Sequence, residues 1–353
     1  MKNKIIIAID SWKGCLTSAE ANQAAAVGIS RLYPDAQVLQ VPVSDGGEGW
    51  LDAFQASWGG ERVSLYTSDP LVRPVRAHYL LKGDTAVIEI AQAIGLTLLK
   101  PEERNPLNAT SRGVGQIIVD AVEKGASHCI VGLGGSATSD CGLGMLLALQ
   151  NEFPPTDSDF FFGPLPFEVT LATDVKNPLC GPQGAAHVFA PQKGATPEMV
   201  EVLEQRAVQF AEESAQSMGR DCRNLPGAGA AGGLGYAFMQ YLGAECRSGV
   251  ELLLETIHFS DMLNGASLVV TGEGRADKQT LMGKLPFGVL QAARAQGVPT
   301  VLLAGQVADK EALLQAGFSR VECINPPGLP LEEAMKKEVA VRGLEGYMGT
   351  GPV

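Results

Sequence analysis

The chain has little positive charge. Its 353 residues include 27 lysines and arginines against 39 aspartates and glutamates, which gives a formal net charge of -12. Nucleic acids and anionic membrane surfaces are bound through extended basic patches. The composition therefore argues against both partners, and any anion must be held locally by a few residues.

Patterns typical of disulfides or of a structural metal are also missing. The seven cysteines are odd in number and form no C-x-x-C pair, and the four histidines are scattered. Reduced, mostly packed thiols explain this usage, and a metal site built from His and Cys is not expected.

Long apolar runs are absent as well. No stretch reaches the roughly 18 uninterrupted apolar residues of a membrane-spanning helix. The first apolar run, residues 5–9, is short and ends at Asp10, which predicts a first strand and not a signal peptide. We therefore expect a cytoplasmic protein with no membrane partner.

What the chain does contain is an alternation of short apolar strands with amphipathic helices, and its length suggests two domains. Residues 61–92 instead predict an antiparallel meander, which suggests an inserted domain. We predict an α/β fold with a discontinuous doubly wound (Rossmann/flavodoxin-like) parallel-sheet domain, residues 1–62, 93–150 and 262–353. The inserted mixed-sheet domain would take residues 63–92 and 151–261.

The loops that follow the predicted strands concentrate charge. In an open α/β sheet, the loops at the carboxyl ends of the strands hold the ligand. A strand predicted at 187–190, for example, would lead into Lys193. The acids in these loops are Asp10, Asp45, Glu48, Asp174, Glu273 and Asp277, and the cations are Lys13, Lys193, Arg275 and Lys284.

One glycine turn resembles an anion cradle. A buried strand at 129–131 leads into Gly134, Gly135, Ser136, Ala137 and Thr138, and an apolar helix follows. Free backbone N–H groups and the positive end of the helix dipole favour a phosphate or carboxylate at such a point. A purely structural turn has the same chemistry, so the turn alone does not decide between the two.

Together, the cations, the carboxylates and the turn form the inventory that phosphoryl transfer to an alcohol requires. The chain has no G-x-x-x-x-G-K-[S/T] motif and no protein-kinase signature. A nicotinamide-dependent oxidoreductase of a small hydroxy acid remains the alternative, with residues 132–137 as a loose dinucleotide fingerprint. A second G-x-G-x-x-G, at 227–232, follows no predicted strand and better suits close backbone packing.

Eight motifs, in order from about residue 4 to 330, resemble those of the bacterial type I glycerate kinases. They are Asp10-Ser-Trp-Lys-Gly14, Asp45-Gly-Gly-Glu-Gly49, Asn105-Pro-Leu-Asn-Ala-Thr-Ser111, Gly134-Gly-Ser-Ala-Thr138, Asp174-Val-Lys-Asn-Pro-Leu179, Pro191-Gln-Lys-Gly-Ala195, Gly227-Ala-Gly-Ala-Ala-Gly-Gly233 and Thr271-Gly-Glu-Gly-Arg275 with Asp277 and Gln279. The segment 151–166 is shorter than its counterpart in the family.

This resemblance implies a cytoplasmic enzyme that phosphorylates D-glycerate with ATP and Mg²⁺, with 2-phosphoglycerate as the more common product. It also implies two α/β domains with the site in the cleft between them. The substrate is then a small molecule, and a homodimer is one option for an oligomeric state that the sequence leaves open.

We assign candidate roles on this basis. Residues 134–138 and Lys193 would hold the nucleotide phosphates together with Lys13. Arg275 would bind the glycerate carboxylate because its planar fork suits that group. The remaining candidates are Asp174, with Asp45 as the alternative, for the general base; Ser11 and Glu48 for the substrate; and Asp45, Asp277 and Glu273 for Mg²⁺.

Overall fold

The computed structural model describes residues 3–12, 14–47, 49–155 and 161–347. The chain forms two compact units. The first comprises Met1–Asp45, Asp52–Gly59 and Val250–Val353, and the second comprises Gly46–Leu51 and Gly60–Gly249. Mixed α/β architecture with one parallel and one mixed sheet confirms the predicted fold class.

The strands of the described residues are β1 (Lys4–Ile9), β2 (Gln37–Gln40), β3 (Glu61–Ser68), β4 (Pro74–Lys82), β5 (Thr85–Glu89), β6 (His128–Gly132), β7 (Glu168–Ala172), β8 (Glu245–Arg247), β9 (Ala266–Ala276), β10 (Thr300–Val307) and β11 (Arg320–Cys323). The α-helices are α1 (Ser18–Leu32), α2 (Trp50–Ser57), α3 (Ala91–Ile94), α4 (Arg112–Glu123), α5 (Leu143–Glu152), α6 (Ala185–Phe189), α7 (Pro197–Met218), α8 (Ala230–Leu242), α9 (Gly249–Thr256), α10 (Phe259–Met262), α11 (Leu285–Ala295), α12 (Lys310–Ala316), α13 (Leu331–Ala334) and α14 (Lys337–Tyr347). Short 3-10 helices lie at Leu96–Leu98, Pro101–Glu103, Pro191–Lys193 and Lys278–Met282.

The first unit is built on a five-stranded parallel sheet in the order β11-β10-β9-β1-β2. Successive residues of β10 enter different cores because side chains alternate along a strand. Val301 and Leu303 pack with α1 and α14 on one face, whereas Leu302 and Ala304 pack with α11 and α12 on the other. Helices therefore cover both faces, which is the doubly wound arrangement.

The second unit contains a six-stranded mixed sheet in the order β3-β4-β5-β6-β7-β8. The strands β3 to β5 form the predicted antiparallel meander, and β5 to β8 run parallel. Its largest core packs Ile88, Val131 and Leu171 against α4, α5, α7 and α8.

The structure divides the chain differently from the predicted domain boundaries. Residues 93–150 do not join the sheet of β1, because β6 pairs with β5 and β7 in the second unit. Residues 250–261 lie in the first unit instead of the second. Hydrophobic periodicity identifies a strand or a helix, but it does not show which sheet the element joins.

One local prediction also differs from the structure. The apolar residues 187–190 belong mainly to the short helix α6 and not to a strand. The apolar helix expected after the glycine turn is α5, which begins at Leu143. The long helix α7 begins at Pro197. Part of the short 151–166 segment, residues 156–160, lies outside the described residues.

Candidate active site

A pocket of about 910 Å³ opens in the first unit where the parallel strands end. Loops after β1, β2, β9 and β11 contribute to it together with the last residues of β9 and β10, as the topology of an open parallel sheet requires. Its polar lining includes five charged side chains, Asp10, Asp45, Glu273, Arg275 and Lys284, together with Ser11. Ser11, Asp45, Glu273 and Arg275 were predicted as site residues, and the fold brings these four to one pocket.

The strand β9 carries two of them because it continues past the end of β1. Residues 272–276 continue as a strand that pairs with β10 as far as Ala276 opposite Val307. Pairing with β1 ends earlier, at Gly272 opposite Ile9. Glu273 and Arg275 therefore lie on regular backbone beyond the end of β1, where the pocket opens.

Glu273 is almost fully buried, with 7% of its surface exposed. Its carboxylate accepts a hydrogen bond from Thr280 Oγ1 at 2.5 Å, and the Lys284 ammonium lies 3.4 Å away. Burial raises the pKa of Glu273, and the Thr280 and Lys284 contacts oppose that rise. Glu273 is thus an acid with a perturbed pKa that lines a pocket, which is a property common at functional sites.

Arg275 is exposed and pairs with Asp277, with Nε 3.2 Å from Oδ2. The other carboxylate oxygen of Asp277 accepts the backbone N–H of Gln279 at 2.9 Å and caps the following 3-10 turn. Asp277 does not belong to the residues that line the pocket. Its contacts hold the Arg275 side chain and the turn.

The first strand supplies the other edge of the pocket. Asp10 follows β1, and its carboxylate accepts the N–H of Ser11 at 2.7 Å. Asp45 follows β2 and is half-buried. Two predicted residues of the same loops, Lys13 and Glu48, lie outside the described residues.

The carboxylates of this pocket suit a hard divalent cation. Within the described ranges, no group of three His, Cys, Asp or Glu side chains forms a preassembled metal cage. Mg²⁺ is commonly held by one or two carboxylates together with substrate phosphates and water. Asp10, Asp45 and Glu273 line one pocket, so the donor set fits a cation that arrives with a phosphate.

The predicted anion turn lies in the second unit, after β6. The N–H of Gly134 donates to Gly46 O at 3.2 Å, and the N–H of Ala137 donates to Ile94 O at 2.8 Å. A Cβ on Gly134 would lie 2.2 Å from Gly47 Cα, so the close approach of two loops requires glycine there. These two amides are engaged in the fold, and within the turn Gly135 is the exposed residue.

The buried side chain of Lys193 contacts this turn from the interior of the second unit. It is 3% exposed, and its Nζ donates to Ser136 Oγ at 3.0 Å and to Thr138 O at 2.6 Å. Burial lowers the pKa of Lys193 to about 7, against a smaller opposing effect of the Asp140 carboxylate. The structure thus brings Lys193 and residues 134–138 together, with the ammonium supporting the turn from inside.

Asp174 is exposed and follows β7. Its strand lies between β6 and β8, and the preceding Thr173 donates its N–H to Arg247 O at 3.0 Å. Because β6 and β7 are parallel, Asp174 and the turn after β6 lie at the same edge of the second sheet.

Sequence reasoning missed the contribution of the chain after β11. Asn325, Pro326, Pro327, Leu329, Leu331 and Met335 line the pocket of the first unit. Asn325 Nδ2 donates to Gly305 O at 2.8 Å and ties this segment to the end of β10. The signal available was positional, since residues 320–324 have the pattern of a short strand and the loop after a parallel strand must reach the same sheet edge.

No helix of the described residues is long and apolar enough to span a bilayer. A charged pocket at the carboxyl edge of a doubly wound sheet belongs to an α/β enzyme that acts on a small polar ligand. The model of the glycerate kinase family matches residues 5–160 and 165–344, and the chain belongs to that family.

Individual relatives are similar to this chain over nearly its whole length. A glycerate kinase of Bacillus subtilis (strain 168) is 40% identical over 94% of this chain and 93% of its own. A glycerate 2-kinase of Escherichia coli (strain K12) is 38% identical with the same coverage. The crystal structure of a protein assigned as glycerate kinase 2 from Salmonella typhimurium LT2 is 36% identical, with a TM-score of 0.81 over 99% of this chain and 97% of that one. The predicted family and enzyme class are confirmed.

Proposed function

We propose that the chain transfers the terminal phosphoryl group of ATP to the 2-hydroxyl of D-glycerate. The observation that carries the proposal is the pocket of the first unit, which joins three carboxylates with Arg275 and Lys284. Phosphoryl transfer to an alcohol requires cations for the phosphates and carboxylates for a metal or a hydroxyl proton. Family membership favours this chemistry over the nicotinamide-dependent alternative.

One relative supports the proposed position of phosphorylation. The Escherichia coli relative is named a glycerate 2-kinase, which supports 2-phosphoglycerate as the product here. The glycerate hydroxyl oxygen would attack the γ-phosphorus, the bond from that phosphorus to the β-phosphate bridging oxygen would break, and a base would take the hydroxyl proton. Mg²⁺, when bound, would neutralise charge on the phosphates.

The pocket suggests a division of roles. Arg275 would bind the glycerate carboxylate through its guanidinium, and Asp277 would hold that guanidinium in place through their 3.2 Å contact. Asp45 and Glu273 would face the metal or the substrate hydroxyls, with Ser11 as a further hydroxyl contact. Lys13 and Glu48 keep their predicted roles as phosphate and substrate contacts. Residues 134–138, supported by Lys193, remain a proposed phosphate contact of the second unit.

Two aspartates compete for the role of general base. Asp174 follows β7 in the second unit, and Asp45 lines the pocket of the first unit. Replacing each by Asn removes the basic oxygen but preserves size, and Asp221→Asn, at another exposed aspartate, serves as the control. Replacing the base should lower kcat by at least about a hundredfold, since general base catalysis contributes about 10²–10⁴. Because Asp45 is also a proposed metal ligand, such a loss identifies the base only where the dependence of the rate on Mg²⁺ concentration is unchanged.

Product analysis tests the proposed reaction. The wild-type enzyme is incubated with ATP, Mg²⁺ and D-glycerate, and the product is examined by proton-coupled ³¹P NMR. A phosphate on C2 couples to a single proton and gives a doublet, whereas one on C3 couples to two protons and gives a triplet. We expect the doublet. A triplet would assign the 3-hydroxyl, and the absence of a glycerate-dependent product would overturn the function.

A further inference from the structure

The pocket of the first unit is far larger than a three-carbon acid requires. Its volume of about 910 Å³ is at the upper end of the range for drug-sized ligands, roughly 300–1,000 Å³. Glycerate would fill only a small part of it. A second, larger ligand therefore has room in the same pocket.

The lining is divided in a way that matches an amphipathic ligand. The sheet order is β11-β10-β9-β1-β2. The acids of the pocket come from the loops after β1 and β2 and from β9 itself, whereas a set of apolar side chains, here called the apolar wall, comes from the chain after β11 at the opposite edge of the sheet. That wall contains Pro326, Pro327, Leu329, Leu331 and Met335. One side of the pocket is thus charged and the other is apolar.

Two apolar side chains of the wall are exposed to solvent. Leu331 is 70% exposed and Met335 is 41% exposed. Adjacent exposed apolar side chains that border a polar pocket are typical of a surface that a ligand covers.

Two glycines contribute to the floor between the two sides, Gly274 on β9 and Gly305 on β10. A Cβ on Gly305 would lie 2.9 Å from Gly274 O and close to Asn325 and Trp12, whereas a Cβ on Gly274 would meet no atom within 4 Å. With open space at Gly274, a flat group can lie against β9 and pass from the apolar wall to the charged side.

We infer that the apolar wall at 326–335 binds the purine base of the nucleotide, with the phosphates directed across the glycine floor toward Lys284. This inference rests on the proposed function, because it assumes ATP as the phosphoryl donor. A nucleotide combines a flat, weakly polar base with a polyanion, and the two sides of the pocket complement those two parts. The wall, and not the turn at 134–138, then determines selectivity for the base.

Binding of two probes tests the inference without turnover. Mg²⁺-ADP and inorganic triphosphate, which has no base, are titrated into the enzyme by calorimetry. The test variant is the double replacement Leu331→Asn with Met335→Gln, which keeps size and charge but removes apolar surface. Because Leu331 is largely exposed and Met335 is partly exposed, the double variant should still fold. Leu225→Asn, at a 47% exposed leucine outside the pocket, is the matched control.

We expect the double variant to raise the Kd of Mg²⁺-ADP about tenfold and to leave that of triphosphate within twofold, with the control like the wild type. Unchanged ADP binding in the double variant overturns the inference, and so does an equal loss for both probes. ADP release with D-glycerate is measured on the same wild-type sample. Turnover without a selective loss of ADP rejects the base site alone, whereas absence of turnover rejects the proposed function.

A photoreactive 8-azido-adenine nucleotide gives a second, independent readout. Its base becomes attached to the residues that surround it, and peptide mapping identifies them. Labelling within 325–335 supports the inference. Labelling confined to residues near 134–138 would place the base in the second unit and overturn it.

Discussion

Replacing Lys193 by methionine changes how the stability of the second unit depends on pH. The folded chain holds this ammonium with 3% of its surface exposed, and burial lowers its pKa from 10.5 to about 7. Between these two values the unfolded chain binds the proton more strongly, so the free energy of unfolding rises with pH. Methionine has similar length and no proton to bind, and it removes this dependence.

The magnitude follows from the two pKa values. Each pH unit is worth up to about 1.4 kcal/mol for one proton, and Lys193 is half-protonated in the folded state near pH 7. From pH 7 to pH 9 the wild type should gain about 2 kcal/mol over the variant. A neutral amine still has two N–H donors for Ser136 Oγ and Thr138 O, so these contacts survive deprotonation.

Urea unfolding at pH 7, 8 and 9 measures the difference in the free energy of unfolding between the wild type and Lys193→Met. A background with Trp12→Phe and Trp58→Phe leaves Trp50, which is fully buried in the second unit, as the fluorescent reporter. The exposed Lys176→Met serves as the control and should keep a constant difference from the wild type. If the free energy of unfolding of the wild type minus that of Lys193→Met stays constant or falls as pH rises, the reasoning is refuted.

Two further predictions concern the packing around the turn and the acid of the pocket. Gly232→Ala should destabilise the protein by at least about 3 kcal/mol, because the new Cβ would lie 2.0 Å from Thr138 O. The control is Gly219→Ala, because Gly219 has a φ of +65°, close to the +68° of Gly232, and a Cβ there would meet no atom within 4 Å. This control should cost about 1 kcal/mol of stability. Equal losses of stability for the two variants in chemical denaturation would contradict the role of the Thr138 contact. Ionisation of the buried Glu273 is costly in the folded state because its pKa is raised, so the free energy of unfolding of the wild type should fall as pH rises above 4.5. The destabilisation caused by Glu273→Gln, measured against the wild type, should therefore become smaller as pH rises. A destabilisation that grows with pH would show that the contacts of Glu273 outweigh its burial.

Much of the candidate site could be predicted because the carboxyl ends of parallel strands lie at one edge of their sheet. The apolar run before Asp10, the strand before Asp45 and the strand that carries Glu273 each identified a strand end at the same sheet edge. Knowing that the strands are parallel was enough to expect these carboxylates in one pocket. The chemistry of the pocket was therefore visible in the sequence before its geometry.

The assignments that failed depend on information that is not local. The run at 187–190 is short and apolar, and such a run fits a buried strand or a buried helix equally well. The strand β6 was recognised correctly, but its sheet is fixed by long-range pairing with β5 and β7. The role of Lys193 at a phosphate stays a prediction, and the hydrogen bonds of its ammonium to Ser136 and Thr138 are a structural feature that no motif could indicate.

The apolar wall was missed for a different reason. Residues 326–335 carry prolines and isolated apolar side chains, which resemble an ordinary surface loop. Their significance arises only from where the chain after β11 passes and from the exposure of Leu331 and Met335.

The most direct test of the central claim is the steady-state release of ADP with Mg²⁺-ATP and D-glycerate, in the wild type and in Arg275→Gln. The account predicts glycerate-dependent ADP release by the wild type and a KM for glycerate that is about ten to a hundred times higher in the variant, because a charge-assisted hydrogen bond to the carboxylate is lost. Arg294→Gln, at an exposed arginine of α11, should behave like the wild type. Absence of glycerate-dependent ADP from the folded wild type, or an unchanged KM in Arg275→Gln, would contradict the account.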